Sequence, residues 1–348
     1  MLPDFDEELA ALLALDALEP DEQANGELQL GTFPAGLAGT SAALAELAAA
    51  EPPGQLWQAT LDRAIGRRAA GRPVDAAVPS EPAEAFARTV ADLDQLLGGL
   101  STTEWDAPAH PEHGRVRDLV AHLIGIERLS QRWLSEDSVP PVPDHIAATR
   151  PVVDELATRD PREVAQGWHE AATAVSATAA GGDLSRTVAF HDLAVSVPGL
   201  LVIRTFEIWA HAMDIALATG RPLPRLDPER MALLSGQLMA VLPDALAYRG
   251  SAAPGRSARF VLTGRAGGCY TVPLAPAGDE PAARTDELGA AVEAGAAVEP
   301  DFTLVADPVD LCRLAARRLR PDQLAASVEG DRELAALVLA DLDAFARD

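Results

Sequence analysis

The stretch "RTFEIWAHAMD", Arg204 to Asp214, sets Glu207, His211 and Asp214 at intervals of four and three residues. On a helix these three share one face with Arg204 a turn earlier, while Phe206, Trp209, Ala210 and Met213 form the adjoining apolar face. A carboxylate and an imidazole one turn apart have two uses. They can satisfy each other as a buried polar cluster, Glu207 accepting from His211 or pairing with Arg204, or they can offer an oxygen and a nitrogen to one divalent ion. A second imidazole stands in "VRDLVAHLIGIERL", where His122 interrupts an apolar run of Leu119, Val120, Leu123, Ile124 and Ile126. Alone it reads as a packed core histidine. If its helix faced the other in a bundle, His122 would join Glu207 and His211 in a set that leaves a coordination position open for water or a thiolate.

The elements that must hold these residues are legible from apolar spacing and from the Pro and Gly clusters between. Residues 2–24 read as an acidic amphipathic helix, followed by Ala-rich helices at Ser41 to Ala50 and Leu56 to Arg68 and by a linker, "AAGRPVDAAVPSEP". From Glu84 to Leu100, the apolar positions Phe86, Val90, Leu93, Leu97 and Leu100 recur at threes and fours. Further helices read at Val116–Leu134, Pro161–Ala180 and Leu200–Thr219, the last stopped by Gly220 and Pro222. Four long helices predict an antiparallel four-helix bundle over 81–226. After a helix from Met231 to Leu246, "ARFVLTG" and "CYTVPLAP" around Gly-Arg-Ala-Gly-Gly signal a β-hairpin. A strand-like "DFTLVAD", the helix "VDLCRLAARRLR" and a last helix "RELAALVLADLDAF" complete an α+β tail over 227–348. The expected class is mainly α with an α+β tail and a helical appendage over 1–80.

Composition removes several function classes. The 348 residues are 48% hydrophobic, ample for more than one core, and the formal charge of −25 repels phosphate backbones, so no nucleic-acid partner is expected. Every basic side chain is Arg, a feature that suggests coding bias and carries no functional weight. Cys269 and Cys312 lie far apart with no Cys-x-x-Cys pairing, which fits a reducing cytoplasm and supports neither a disulfide framework nor a cysteine zinc finger. The N-terminus is acidic, and no uninterrupted apolar run approaches the roughly 18 to 20 residues that span a bilayer. A soluble, cytoplasmic protein without a membrane partner is expected.

At the site residues the chain resembles the mycothiol-dependent maleylpyruvate isomerase family, within the DinB-like helical bundles. The resemblance covers roughly residues 82–345 and rests on three blocks: "VRDLVAHL" from Val116 to Leu123, the Arg-Thr-x-Glu-x-Trp-x-His-x-x-Asp block from Arg204 to Asp214, and a tail similar to the family's sterol-carrier-like domain, with "GRAGGCYTV", "DFTLVADPVDLCRLAARRL" and "VEGDRELA". It implies a divalent metal, zinc in the family, on His122, Glu207 and His211, with mycothiol as cosubstrate and a small electrophile as substrate. The thiolate would add to an electrophilic carbon. Rotation and elimination would then isomerise a cis double bond, and omitting the elimination would make the same site a thiol S-transferase. Arg204 and Asp214 are candidate catalytic residues in supporting roles, Arg204 by meeting Glu207 or an anionic substrate and Asp214 by orienting His211. Structural salt bridges are the alternative for both.

The chain departs from the family where a Gly-Trp pair usually precedes "VRDL"; here it reads Glu112-His113-Gly114-Arg115, which bears on substrate or cosubstrate contacts. His110 and His113, in this Pro-rich polar loop, read as solvated histidines, and His145, His169 and His191 have no partner at diagnostic spacing. The N-terminal "ELAALLALDALEPDEQ" resembles the start of an anti-sigma-factor domain, but Gln29, Phe33 and Gly36 stand where that family's zinc ligands belong. Residues 1–80 are thus expected to be a degenerate packing or oligomerisation arm, with sigma-factor capture as the alternative. On that alternative the chain is a regulatory binding module with a sensory or non-catalytic bundle.

Overall fold

The computed structural model describes residues 76–342 except 137, 138, 140, 141, 143, 185, 191, 192 and 277–298. The anti-sigma-like stretch, the expected helices at Ser41 to Ala50 and Leu56 to Arg68 and the first half of the linker lie outside the described residues, as does His191.

Four long helices form the bundle: α1 (Pro82–Gly98), α2 (Val116–Ser135), α4 (Pro161–Gly181) and α5 (Val197–Ala218). They neighbour one another in a closed ring, α1 on α4 and α5, α2 on α4 and α5. Phe86, Val90, Leu93, Leu119, Leu123, Trp168, Val175, Leu201 and Ile208 make their shared core. Two of these helices begin earlier than apolar spacing alone indicates. Proline in the first turn sets both: Pro82 opens α1, and at the head of α5 Pro198 follows Ser196, which accepts from Gly199 N–H.

A shorter helix, α3 (His145–Leu156), escapes the apolar-period reading, because only His145 and Thr149 on it are buried and Pro151 interrupts it. Asp144 caps it, accepting from Ala147 N–H at 2.8 Å. Its close seat on α2 depends on Gly125, where an added Cβ would fall 2.7 Å from Thr149 Cγ2 and 3.3 Å from Thr149 Cα. Gly125→Ala should therefore be destabilising. The roughly 1 kcal/mol that Ala gains in helix propensity is outweighed by about 1–3 kcal/mol of overpacking. Urea denaturation checks it, and a stability equal to or above that of the parent would show that α3 yields freely.

Ahead of the tail, β1 (Pro108–His110) pairs with β2 (Gly114–Arg115) and β3 (Thr187–Phe190) with β4 (Leu193–Ser196), both antiparallel. The tail is built on α6 (Pro228–Arg249) and a four-stranded sheet in the order β6 (Gly268–Pro273), β5 (Ser257–Leu262), β7 (Phe302–Ala306), β8 (Ala326–Gly330). The expected hairpin is β5–β6, antiparallel with Leu262 opposite Gly268; β5 and β7 run parallel, β7 and β8 antiparallel. Helices α7 (Pro308–Ala315) and α8 (Arg332–Asp341) follow β7 and β8. Of the described helices, α6 alone has the length and apolar content of a membrane span, but Met231, Leu234, Leu238 and Leu242 are buried with Phe260, Phe302 and Leu311 in a second core. Val202, Trp209 and Met213 of α5 belong to that same core, while Leu201, Ile208 and Ile215 of α5 belong to the bundle's. Helix α5 is apolar nearly all round because it serves two cores, and its remaining edge carries the polar cluster.

Candidate metal centre

Helix α2 and helix α5 bring the sequence-predicted residues together. His122 Nε2 lies 3.5 Å from Glu207 Oε1, and His211 Nε2 lies 4.0 Å from the same oxygen. Each side chain is held from behind. Thr149 Oγ1 donates to the His145 carbonyl at 2.9 Å, so towards His122 Nδ1, 2.8 Å away, it acts as acceptor. Nδ1 then carries the hydrogen and Nε2 is a bare lone pair. His211 Nδ1 has Asp214 Oδ2 at 3.0 Å and Arg318 Nη2 at 3.3 Å; the Arg318 hydrogen goes to Asp214 Oδ2 at 2.5 Å, and the shorter contact to a carboxylate that only accepts gives His211 the same tautomer. Arg204 donates to Glu207 Oε2 through Nη1, leaving Oε1 to face the imidazoles. His122 Nε2, Glu207 Oε1 and His211 Nε2 are buried and have no hydrogen-bond partner.

The charges agree with this arrangement. Burial pushes the His122 imidazole below the ordinary histidine value, against the pull of Glu207. Burial opposes the charge on Glu207, yet the Arg204 guanidinium beside it holds that carboxyl well below the usual carboxylate range. Asp214 is likewise held low, His211 and Arg318 outweighing its burial. With their ring hydrogens drawn to Nδ1 by Thr149 and Asp214, the two imidazoles turn Nε2 toward an ionised carboxylate, an assembly of acceptors with no donor among them. Such a site is costly by itself and suits a cation, so these residues fit a divalent ion.

Arg204 and Asp214, expected in supporting roles, stand directly behind the candidate ligands. Arg204 is fully buried between Glu207 and Glu127, donating to Glu127 Oε1 from Nη2 at 2.8 Å and from Nε at 3.1 Å. Asp214 is gripped by Arg318, with Nε 3.1 Å from Oδ1 and Nη2 2.5 Å from Oδ2. Arg318 reaches it because Arg317, at φ 59, reverses the chain just past α7 in a left-handed turn that glycine usually occupies. Neither Glu127 nor Thr149 nor Arg318 stood out in the sequence. Glu127, five residues after His122 in the same apolar run, carried the one usable signal.

Two histidine expectations need correction. His113 is not a solvated loop residue: it is 8% exposed, its ring centred 4.0 Å from that of His122 and 5.2 Å from that of His211. The loop is a hairpin of β1 (Pro108–His110) and β2 (Gly114–Arg115), packed on α2 and α5, and Gly114 at φ 86 makes its tight return. Proline and polar residues gave the loop an exposed composition, but the packing folds it over the site. His145 also has neighbours, sequence spacing notwithstanding: buried on α3, it offers a ligand atom within 4.8 Å of His122 and Glu207. His110 is partly buried, its Nδ1 accepting from the Glu112 and His113 N–H groups at 3.3 and 3.4 Å. His169 is exposed and pairs with Asp94 at 2.7 Å, away from the cluster.

Comparison with known proteins adds a family to this geometry. The family model described as the mycothiol maleylpyruvate isomerase N-terminal domain matches residues 86–216. Two uncharacterized proteins of Mycobacterium tuberculosis, from strains H37Rv and CDC 1551, are each 32% identical over 153 residues, 42% of this chain and 67% of theirs. A crystal structure of the mycothiol-dependent maleylpyruvate isomerase aligns over 71% of this chain and 92% of its own at 14% identity, with a TM-score of 0.48. With the domain match spanning α2 and α5 and a third of the aligned residues shared with those relatives, the chain belongs to the mycothiol maleylpyruvate isomerase family.

Proposed function

We propose that the protein is a metal-dependent, mycothiol-using enzyme that adds a thiolate to a small electrophile, with the ion held by His122, Glu207 and His211. The observation that carries this reading is the meeting of three buried acceptor atoms with no donor among them. Zinc suits the donor set, and a divalent ion there would lower the pKa of a thiol enough to supply thiolate near neutral pH. The protein's own part is to orient. Thr149 and Asp214 hold both imidazoles in the tautomer that turns Nε2 inward, and Arg204 turns one oxygen of Glu207 the same way. Addition followed by rotation and elimination gives a cis–trans isomerase; addition alone gives an S-transferase. Both cysteines are free: Cys312 is buried with its thiol pushed up by burial, and the exposed Cys269 lies on β6 of the tail sheet, so neither is among the candidate site's residues and the reading takes the reacting thiol from outside. Free cysteines also fit a reducing cytoplasm.

The test is turnover. Mycothiol offered with a panel of activated alkenes, epoxides and alkyl halides should give product that disappears with a chelator and with His122→Ala, and that survives replacement of Cys269 and Cys312. Absence of turnover across the panel in metal-loaded protein would overturn the enzyme reading, as would turnover that depends on Cys269.

A further inference from the structure

We propose that His113 is a fourth protein donor to the ion, an inference that rests on the reading of His122, Glu207 and His211 as its ligands. One ligand atom from each of His113, His122 and His211 lies within 4.8 Å of the others, and all three residues are buried. His113 stacks on His122 with the rings tilted by 32° and stands edge-on to His211, beside the two imidazoles that face Glu207. The neighbouring His110 is set apart from it by chemistry: its Nδ1 is turned back to the backbone of its own hairpin, and it is only partly buried.

The consequence is a more closed centre. Three imidazoles and one carboxylate complete a four-coordinate set, whereas three protein ligands leave a position open. An incoming thiol would then have to displace His113 or expand the coordination number, and the ion would be held more tightly than by three ligands.

Cobalt(II) provides a readout independent of turnover, since its visible bands report the number and type of donors. In the full chain, His113→Ala should weaken Co²⁺ binding by about 100-fold, at or beyond the upper end of what loss of an outer-shell partner costs. It should also shift the visible spectrum, and free imidazole should restore that spectrum by occupying the vacated position. His113→Gln, which keeps a polar side chain in the hairpin, should lose affinity comparably, while His169→Ala should change nothing. Far-UV circular dichroism confirms that each variant is folded. If parent and His113→Ala bind Co²⁺ with equal affinity and identical bands, or if imidazole does not restore the spectrum, His113 is no ligand. If the parent binds no Co²⁺ at all, the three-ligand reading itself fails and the inference with it.

Discussion

Arg204→Ala is expected to cost about 3–5 kcal/mol of folding stability, because it leaves a carboxylate buried without its counter-charge. Glu127 is fully buried, and both of its contacts from Arg204 run to a single oxygen, Oε1. For a chain whose whole stability is typically about 5–15 kcal/mol, such a loss is severe and readable in a urea midpoint. The double variant Glu127→Leu with Arg204→Met should regain most of it, since a buried pair replaced by packed apolar side chains is often neutral. It should not regain the metal site, because Glu207 Oε2 would lack the guanidinium that now holds it. Stability and metal affinity measured on the single and double variants separate the two roles of Arg204. A single variant costing less than about 1 kcal/mol, the value of an exposed ion pair, would show that the pair is not what holds α2 to α5.

His211→Ala should reduce bound metal from about one divalent ion per chain, the number one such site holds, to almost none, with helicity intact. The fold survives because both apolar cores are complete without the cluster. Asp214→Asn should give a graded loss of about 10- to 100-fold in affinity, the usual cost of an altered outer partner. Asn can present an amide N–H to His211 Nδ1, and Nε2 then loses its assured lone pair. Metal analysis of the purified variants and competition with a chromogenic chelator measure both effects. A His211→Ala protein that keeps a full equivalent of metal would move the centre elsewhere in the histidine cluster.

The bundle helices and the β5–β6 hairpin were readable because their apolar period and turn glycines agree with burial. Helix α3 was not, for it lies on α2 through one glycine and one threonine and has no apolar stripe to announce it. In the candidate site, residues on one helix were legible and those brought from elsewhere were not. Arg204, Glu207, His211 and Asp214 show their shared face in any helical projection. Thr149, His113 and Arg318 reach them by tertiary placement, from a short helix, a folded-over hairpin and a reversed helix end. Polarity misled for His113, since a loop rich in proline and charge is ordinarily wet and this one is packed.

The grip of Arg318 on Asp214 joins residues 104 positions apart, one in the bundle and one at the end of α7. Were an ion held by His211, this grip would make ion occupancy and seating of the tail two faces of one equilibrium. Asp214 orients His211 best when Arg318 is docked, and Arg318 is best neutralised when Asp214 is fixed by His211. Thermodynamic reciprocity then requires that whatever factor docking adds to ion affinity, the ion returns to docking. With an ion on His211, the sheet and its helices would act as a remote brace on it, and loading it would clamp the two cores together.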